Sequence, residues 1–412
     1  MVSNPFCFFS LIPCALFGRI YIFFLQYLLS YLLSVLIFLF FISFFIENRK
    51  KIIPYLRSQY RNYILLIFTV IVCLIFAEAV LRLQERILKT SRHEVRHYEV
   101  CYSYKQNSAG FRDDEFKKTK DKGVFRVFLI GDSFVEGIVE EEKTLDKLME
   151  KKCSEDNFNC EVYNLGKDGA GPSYYWVIAN EFREYAPDLI VVSVYVDNDI
   201  ERTQYYKTSP ENKFLYPVEK LVNKIRTGSE LLKMVNDYLE KRKLYSLAVL
   251  LPIDDAYLKL MHEGKITPWL IKRAMVGDNQ LRYNYIVEQF YKDPAFKTNI
   301  LAIKRLYKDI PFLLLINPSK IQVNLSYLDS MRKVGYFFKE NKLIDRKIQD
   351  AIISWANENG IDCLDILPYM LQAPHNENFF YKIEDHYAAK GDEFVADILY
   401  SRLKKMGVLK RF

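Results

Sequence analysis

The sequence predicts a three-layer α/β domain built on a parallel sheet and tethered by apolar N-terminal helices. Three observations lead there. Short apolar runs alternate with stretches of helical periodicity from Val124 onward, the first 85 residues differ in composition from the rest and are almost wholly apolar from Phe6 to Ile46, and the polar residues suited to chemistry follow the ends of the apolar runs. At 412 residues the chain exceeds one average domain, so a soluble core, a membrane part and an insertion all fit.

Between Phe6 and Ile46 only Arg19 and Gln26 are strongly polar. Ile20–Ile46 alone exceeds the ~20 residues needed to cross a bilayer. A second run, "NYILLIFTVIVCLIFAEAVLRL" (Asn62–Leu83), is long enough for another span. Phe6–Phe17 is too short to cross untilted and forms either a third, merged span or an interfacial start. With no basic region before the apolar run and no clear small-residue cleavage site after it, a cleaved signal peptide is the weaker reading. The expected organisation is a membrane region over 1–85 with two or three transmembrane helices, a juxtamembrane connector over 86–123, and a soluble domain over 124–408.

The loop "ENRKKIIPYLRSQYR" carries five Lys or Arg and is expected on the cytoplasmic side, which puts the soluble part outside. Arg82, Arg86, Lys89, Arg92 and Arg96 pull the other way after the second span. The cysteines weigh toward export: Cys153 and Cys160 lie either side of the polar turn "SEDNF" and are close enough in sequence to form a disulfide, the alternative being that the four cysteines of the soluble part are unrelated buried thiols. The net charge of +7 comes from basic residues interleaved with acidic ones, so no nucleic-acid partner is expected. No cysteine or histidine spacing suggests a metal.

In the soluble part, Val124–Ile130, Cys160–Leu165, Leu189–Tyr195, Phe312–Ile316 and Ile361–Leu364 read as strands buried on both faces, with helical crossovers between them. The connection after the third strand is too long for a crossover. Residues from about 200 to 298 therefore read as a helical insertion, either a lid or a surface elaboration.

Ligands of open parallel sheets collect at the carboxyl ends of the strands. Gly131, Asp132 and Ser133 follow the first strand, Asn164 and Gly169 the second, Asn198 and Asp199 the third, and His386 follows the fifth and is expected to open the last helix. Ser133 alone reads equally as a helix cap. Glycine is absent at Val135, so the Gly-x-Ser-x-Gly elbow does not fit.

Taken together, these segments resemble the SGNH (GDSL-like) hydrolase family. "GDSFVEG" matches its first block, "NLGKDGAG" the second, "YVDND" the third and "FFYKIEDHYAAKGDEFVADIL" the last. "NSAGFRDDEF", "PDLIVVSVYVDND" and "INPSKIQV" are similar to membrane-anchored bacterial members. The resemblance implies a flavodoxin-like three-layer fold at the bacterial cytoplasmic membrane, with Ser133 as nucleophile and His386 as base. It also implies an oxyanion hole from Ser133, Gly169 and Asn198, no cofactor, and an acyl-ester substrate such as an O-acyl group on envelope glycan or lipid. The third triad member is expected at Glu384, with Asp385 as the alternative acid or a Ser-His dyad in its place. Shortly before the Asn the family has glycine, where this chain offers Val196 and Asp197; Asp197 sets a carboxylate beside the oxyanion hole and is the one feature that favours a non-catalytic module. An O-acyltransferase using the same acyl-serine is the alternative reading, and a non-catalytic envelope binding module the second. Oligomeric state is not legible.

Overall fold

The structure is a computed structural model that describes residues 59–83 except 63, 93–200 except 97, and 278–409, together with residue 54 and scattered positions between 229 and 263. The chain divides into two units, Met1–Ala77 and Glu78–Phe412. The helix Gln59–Leu83 is 25 residues long, with mean hydropathy 3.0 over its most apolar part. Its apolar side chains face outward, Phe68 and Phe76 being 63% and 69% exposed. By length and composition it suits a bilayer. The earlier expected span, Ile20–Ile46, lies outside the described residues.

In the second unit a hairpin of β1 (His93–Arg96) and β2 (Cys101–Tyr104) precedes the main sheet. The sheet consists of β3 (Phe125–Gly131), β4 (Cys160–Gly166), β5 (Leu189–Tyr195), β6 (Phe312–Asn317) and β7 (Asp362–Asp365). All neighbours are parallel and the order is β4-β3-β5-β6-β7. This is the flavodoxin-like order, in which the chain reverses direction of travel at the first strand, β3.

Every residue of β3, β5 and β6 is buried, so both faces of the sheet are covered and the architecture has three layers. The helix Pro172–Glu181 packs against Ala295–Leu306, and Leu145–Glu155 against Ala389–Lys405. One charge sits inside this core. Arg126 on β3 is fully buried, pairs with Glu161 at 2.5 Å and lies 4.7 Å from the centre of the Tyr163 ring. A buried guanidinium is tolerable only with such partners.

Most of the stretch expected as an insertion, about 200–298, lies outside the described residues. Its last helix, Asn279–Lys292, is described and contributes Tyr283, Ile286 and Phe290 to the same core as the sheet.

Cys153 and Cys160 form a disulfide, with their Cα atoms 6.1 Å apart. It ties the helix Leu145–Glu155 to the start of β4. Cys363 stays a thiol: burial and the neighbouring Asp362 and Asp365 carboxylates push it up to about 12. Closing so short a loop restricts the unfolded chain by about 2–3 kcal/mol. Urea unfolding of detergent-solubilised protein should therefore show a loss of that size for Cys153→Ser with Cys160→Ser. The same loss should appear in the native chain on reduction, and an unchanged midpoint would refute the bridge.

Candidate active site

The nucleophile candidate sits at the switch point of the sheet. β3 ends at Gly131, Asp132 caps the next turn by accepting the Phe134 N–H at 2.9 Å, and the short helix Ser133–Glu136 begins at once. So tight a turn presses helix backbone against β4. A Cβ at Gly166 would come 2.2 Å from the Glu136 nitrogen, so only glycine fits there. Asn164, buried on β4, donates to the Val135 carbonyl at 2.9 Å and to Asp146 at 2.7 Å, holding the helix from behind.

His386 reaches this serine from the other end of the chain. Its Nε2 lies 2.7 Å from Ser133 Oγ and its Nδ1 2.9 Å from Glu384 Oε1. The sequence places His386 at the start of the last helix, but that helix begins only at Ala389. The histidine instead stands on a closed loop, where the Tyr381 N–H donates to the His386 carbonyl and the Ala388 N–H to that of Phe379. Ser133 is 5% exposed and the His386 side chain 16%, so the pair is sheltered yet reachable from solvent. Phe134 packs 5.2 Å from the imidazole and 4.2 Å from Tyr195, measured between ring centres.

Burial works against a charged imidazolium here. The hydrogen bond and charge of Glu384, followed by the Asp132 and Asp168 carboxylates, outweigh it, and His386 titrates above its ordinary value. A carboxylate, an imidazole and a hydroxyl in this sequence form a proton relay: the acid fixes the ring, and the free nitrogen faces the hydroxyl.

The two acid candidates part company. Glu384 meets His386, whereas Asp385 pairs at 3.2 Å with Lys320, a lysine with no exposed surface. Lys320 also donates to the carbonyls of Tyr381, Lys382, Ile383 and Glu384 at 3.0–3.4 Å. Asp385 therefore helps to neutralise a buried cation.

Gly169 and Asn198 stand in the loops after β4 and β5, the strands that flank β3. Gly169 has φ of +72°, which only glycine adopts freely, and its N–H donates to no protein group among the described residues. Asn198 is 7% exposed, and its side-chain oxygen meets no partner among the described residues. Asp199 is structural, accepting from the Tyr195 N–H and the Tyr175 hydroxyl at 2.9 Å each. The Asp197 carboxylate is held by Arg282, which donates to its Oδ1 and to its backbone carbonyl at 2.5 Å each. Of the other histidines only His375 has a described side chain, exposed and beside Glu377.

Lys320, Arg282 and Glu99, a third residue of this neighbourhood, were missing from the residues expected at the site. Lys320 had a signal, a lone cation ending the apolar run "FLLLINPSK"; Arg282, some eighty residues from Asp197, and Glu99 had none.

No protein-family model matches the chain, and no curated protein is significantly similar to it. Among solved structures it is similar to a lipase/acylhydrolase from Enterococcus faecalis, with TM-score 0.37, 12% identity, and coverage of 70% of this chain and 98% of that one. A member of the lipolytic G-D-S-L family from Veillonella parvula gives 0.34 and 11%, covering 68% and 99%. An esterase from Pseudoalteromonas gives 0.35 and 9%, covering 68% and 97%. At such values the chemistry of this chain rests on its own side chains.

Two predictions separate these roles. Glu384→Gln should lower the His386 pKa, followed by NMR of the ring protons, and leave the urea midpoint nearly unchanged. Asp385→Asn should cost about 2–4 kcal/mol by leaving Lys320 short of a counter-charge, with the His386 titration little moved. The reverse pattern would exchange their roles. Arg282→Gln should likewise cost about 3 kcal/mol by removing the guanidinium paired with a buried carboxylate, and adding Asp197→Asn should recover most of it. A double variant no more stable than the single one would show that the charge pair is not what Arg282 supplies.

Proposed function

We propose that this chain is a membrane-anchored serine esterase of the SGNH type that hydrolyses acyl esters outside the cytoplasm. Its proposed substrate class is O-acyl groups on envelope glycans or lipids. The observation that carries the reading is the relay Ser133 Oγ–His386 Nε2 at 2.7 Å and His386 Nδ1–Glu384 Oε1 at 2.9 Å, assembled from opposite ends of the domain.

In this mechanism Ser133 Oγ attacks the ester carbonyl carbon while its proton passes to His386 Nε2. Glu384 holds the ring and faces the imidazolium that forms. Negative charge gathers on the former carbonyl oxygen, where the N–H groups of Ser133 and Gly169 and the Asn198 amide donate. One such donor is worth about 10²–10³ in rate. Collapse breaks the bond to the alkoxy oxygen, which leaves with the proton from His386. Water then gives its proton to His386 and attacks the acyl-serine; the acid departs and Ser133 recovers its proton. Proton transfer by the histidine supplies a further factor of about 10²–10⁴.

Two observations support the placement. The helix Gln59–Leu83 suits an anchor, and the Cys153–Cys160 disulfide suits an oxidising compartment. The Arg282 pair answers the one feature that favoured a non-catalytic module, because a neutralised Asp197 no longer opposes an oxyanion.

A serine-directed fluorophosphonate should label Ser133 covalently in the intact protein. Ser133→Ala and His386→Ala should each abolish labelling and lower p-nitrophenyl acetate turnover by about 10⁴-fold or more, each nearly as much as both together. If Ser133 only caps its helix, Ser133→Ala will instead cost ~1 kcal/mol of stability and wild-type protein will not label. Acyl transfer to added glycan faster than to water would replace hydrolase by transferase.

A further inference from the structure

We propose that Glu99, in the turn of the β1–β2 hairpin, is a positioning residue of this site, one of two side chains that clamp the loop carrying Glu384 and His386. Its catalytic consequence rests on the serine-esterase reading. The Glu99 carboxylate accepts three successive backbone N–H groups, from Lys382 at 2.7 Å and from Ile383 and Glu384 at 2.8 Å each. Successive N–H groups turned the same way form an anion-binding concavity, and bonds to a charged acceptor are about twice as strong as neutral ones.

The carbonyls of the same residues are engaged from the other side. Lys320 takes those of Lys382, Ile383 and Glu384, and of Tyr381 before them. Three consecutive peptide units thus have their donors on one carboxylate and their acceptors on one ammonium. A strand or helix would satisfy these groups with neighbouring backbone; here two side chains from distant parts of the chain do so. The loop has the polar satisfaction of regular structure without its shape, which leaves Glu384 free to face His386.

Glu99 comes from outside the sheet domain, 285 residues before Glu384 and sixteen beyond the end of the apolar helix. The hairpin that carries it is fastened to the nucleophile as well. The Arg112 guanidinium lies 4.8 Å and 5.0 Å from the ring centres of Tyr102 and Tyr104, and it donates to the Gly137 and Val139 carbonyls just beyond the helix Ser133–Glu136. The segment joining the apolar helix to the sheet therefore grips both the serine side and the acid side of the site. It acts as part of the catalytic frame, not as a passive tether.

The test uses the full chain in detergent as wild type, Glu99→Gln and Glu99→Asp. Glu99→Gln keeps the size of the side chain but removes the charge. Because Lys382 donates to one carboxylate oxygen and Ile383 and Glu384 to the other, it also sets an NH₂ against at least one of the three N–H donors. It should speed amide hydrogen exchange at Lys382, Ile383 and Glu384 and slow fluorophosphonate labelling per folded molecule about tenfold or more. It should lower kcat on p-nitrophenyl acetate by a similar factor, with KM within about twofold. Glu99→Asp, which keeps the charge, should fall between the two. Unchanged exchange at these three amides would overturn the clamp. Faster exchange with labelling and kcat within about twofold of wild type would overturn the positioning role, as would a loss accounted for entirely by fewer folded molecules. Wild-type protein that never labels, yet shows Glu99-dependent exchange, would defeat the esterase reading and the positioning role with it, while showing that the contact itself exists.

Discussion

The hydrogen bond between Ser133 and His386 is the contact around which this domain is arranged, and it joins residues 253 positions apart. A side-chain bond cannot by itself bring such distant segments together, because its net worth is about 1 kcal/mol. The sheet does that work. Placing β3 at the turning point of the strand order opens a crevice at its carboxyl end, and the loops after β4 and β5 border it from either side. Gly166 then allows the first turn after β3, which begins at Ser133, to lie directly on β4.

The other half of the relay is held by charge. Glu384, Asp385, Asp197, Arg282 and Lys320 are all 8% exposed or less, and a buried charge is strongly unfavourable unless matched. Asp385 is matched by Lys320 and Asp197 by Arg282, while Glu384 accepts a hydrogen bond from the His386 ring. Replacing such pairs with apolar residues often leaves stability unchanged or improves it. What these pairs supply is therefore better sought in geometry than in stability. Lys320 shapes a loop that has no regular structure, and Arg282 fixes and neutralises the Asp197 carboxylate next to Asn198.

The fold was legible because it is a matter of pattern. Short, mainly apolar runs of four to seven residues separated by helical stretches leave few alternatives to a parallel sheet covered on both faces, and the observed strands lie within a residue or so of the expected ones. The meeting of Ser133 with His386 was legible for a related reason, since residues that follow strand ends share one edge of the sheet. The last helix was expected two or three residues early. The sequence places His386 at its first turn, yet Tyr387 is drawn into a bridge with Phe380 and the helix begins only after it, at Ala389. What lay beyond reading was the clamp and the charge pairs. A Glu in a connector and an Arg at the end of a long excursion differ in no local way from the many solvated charges around them, because their partners are set by tertiary contact alone.

The choice between adjacent acids in "IEDH" shows how such contacts decide a role. Sequence spacing admits both Glu384 and Asp385, since each lies within reach of an imidazole one or two residues on. The two side chains leave the loop toward different partners, and only Glu384 faces His386. The choice depends on what waits on the other side. There the Lys320 ammonium already receives the loop's carbonyls and draws the Asp385 carboxylate to 3.2 Å, leaving Glu384 directed at the ring. With Glu99 holding the N–H groups of Lys382, Ile383 and Glu384, the loop cannot rotate by one residue without stranding three donors and a buried cation together. The acid is thus selected less by its own chemistry than by a lysine that the same loop must neutralise.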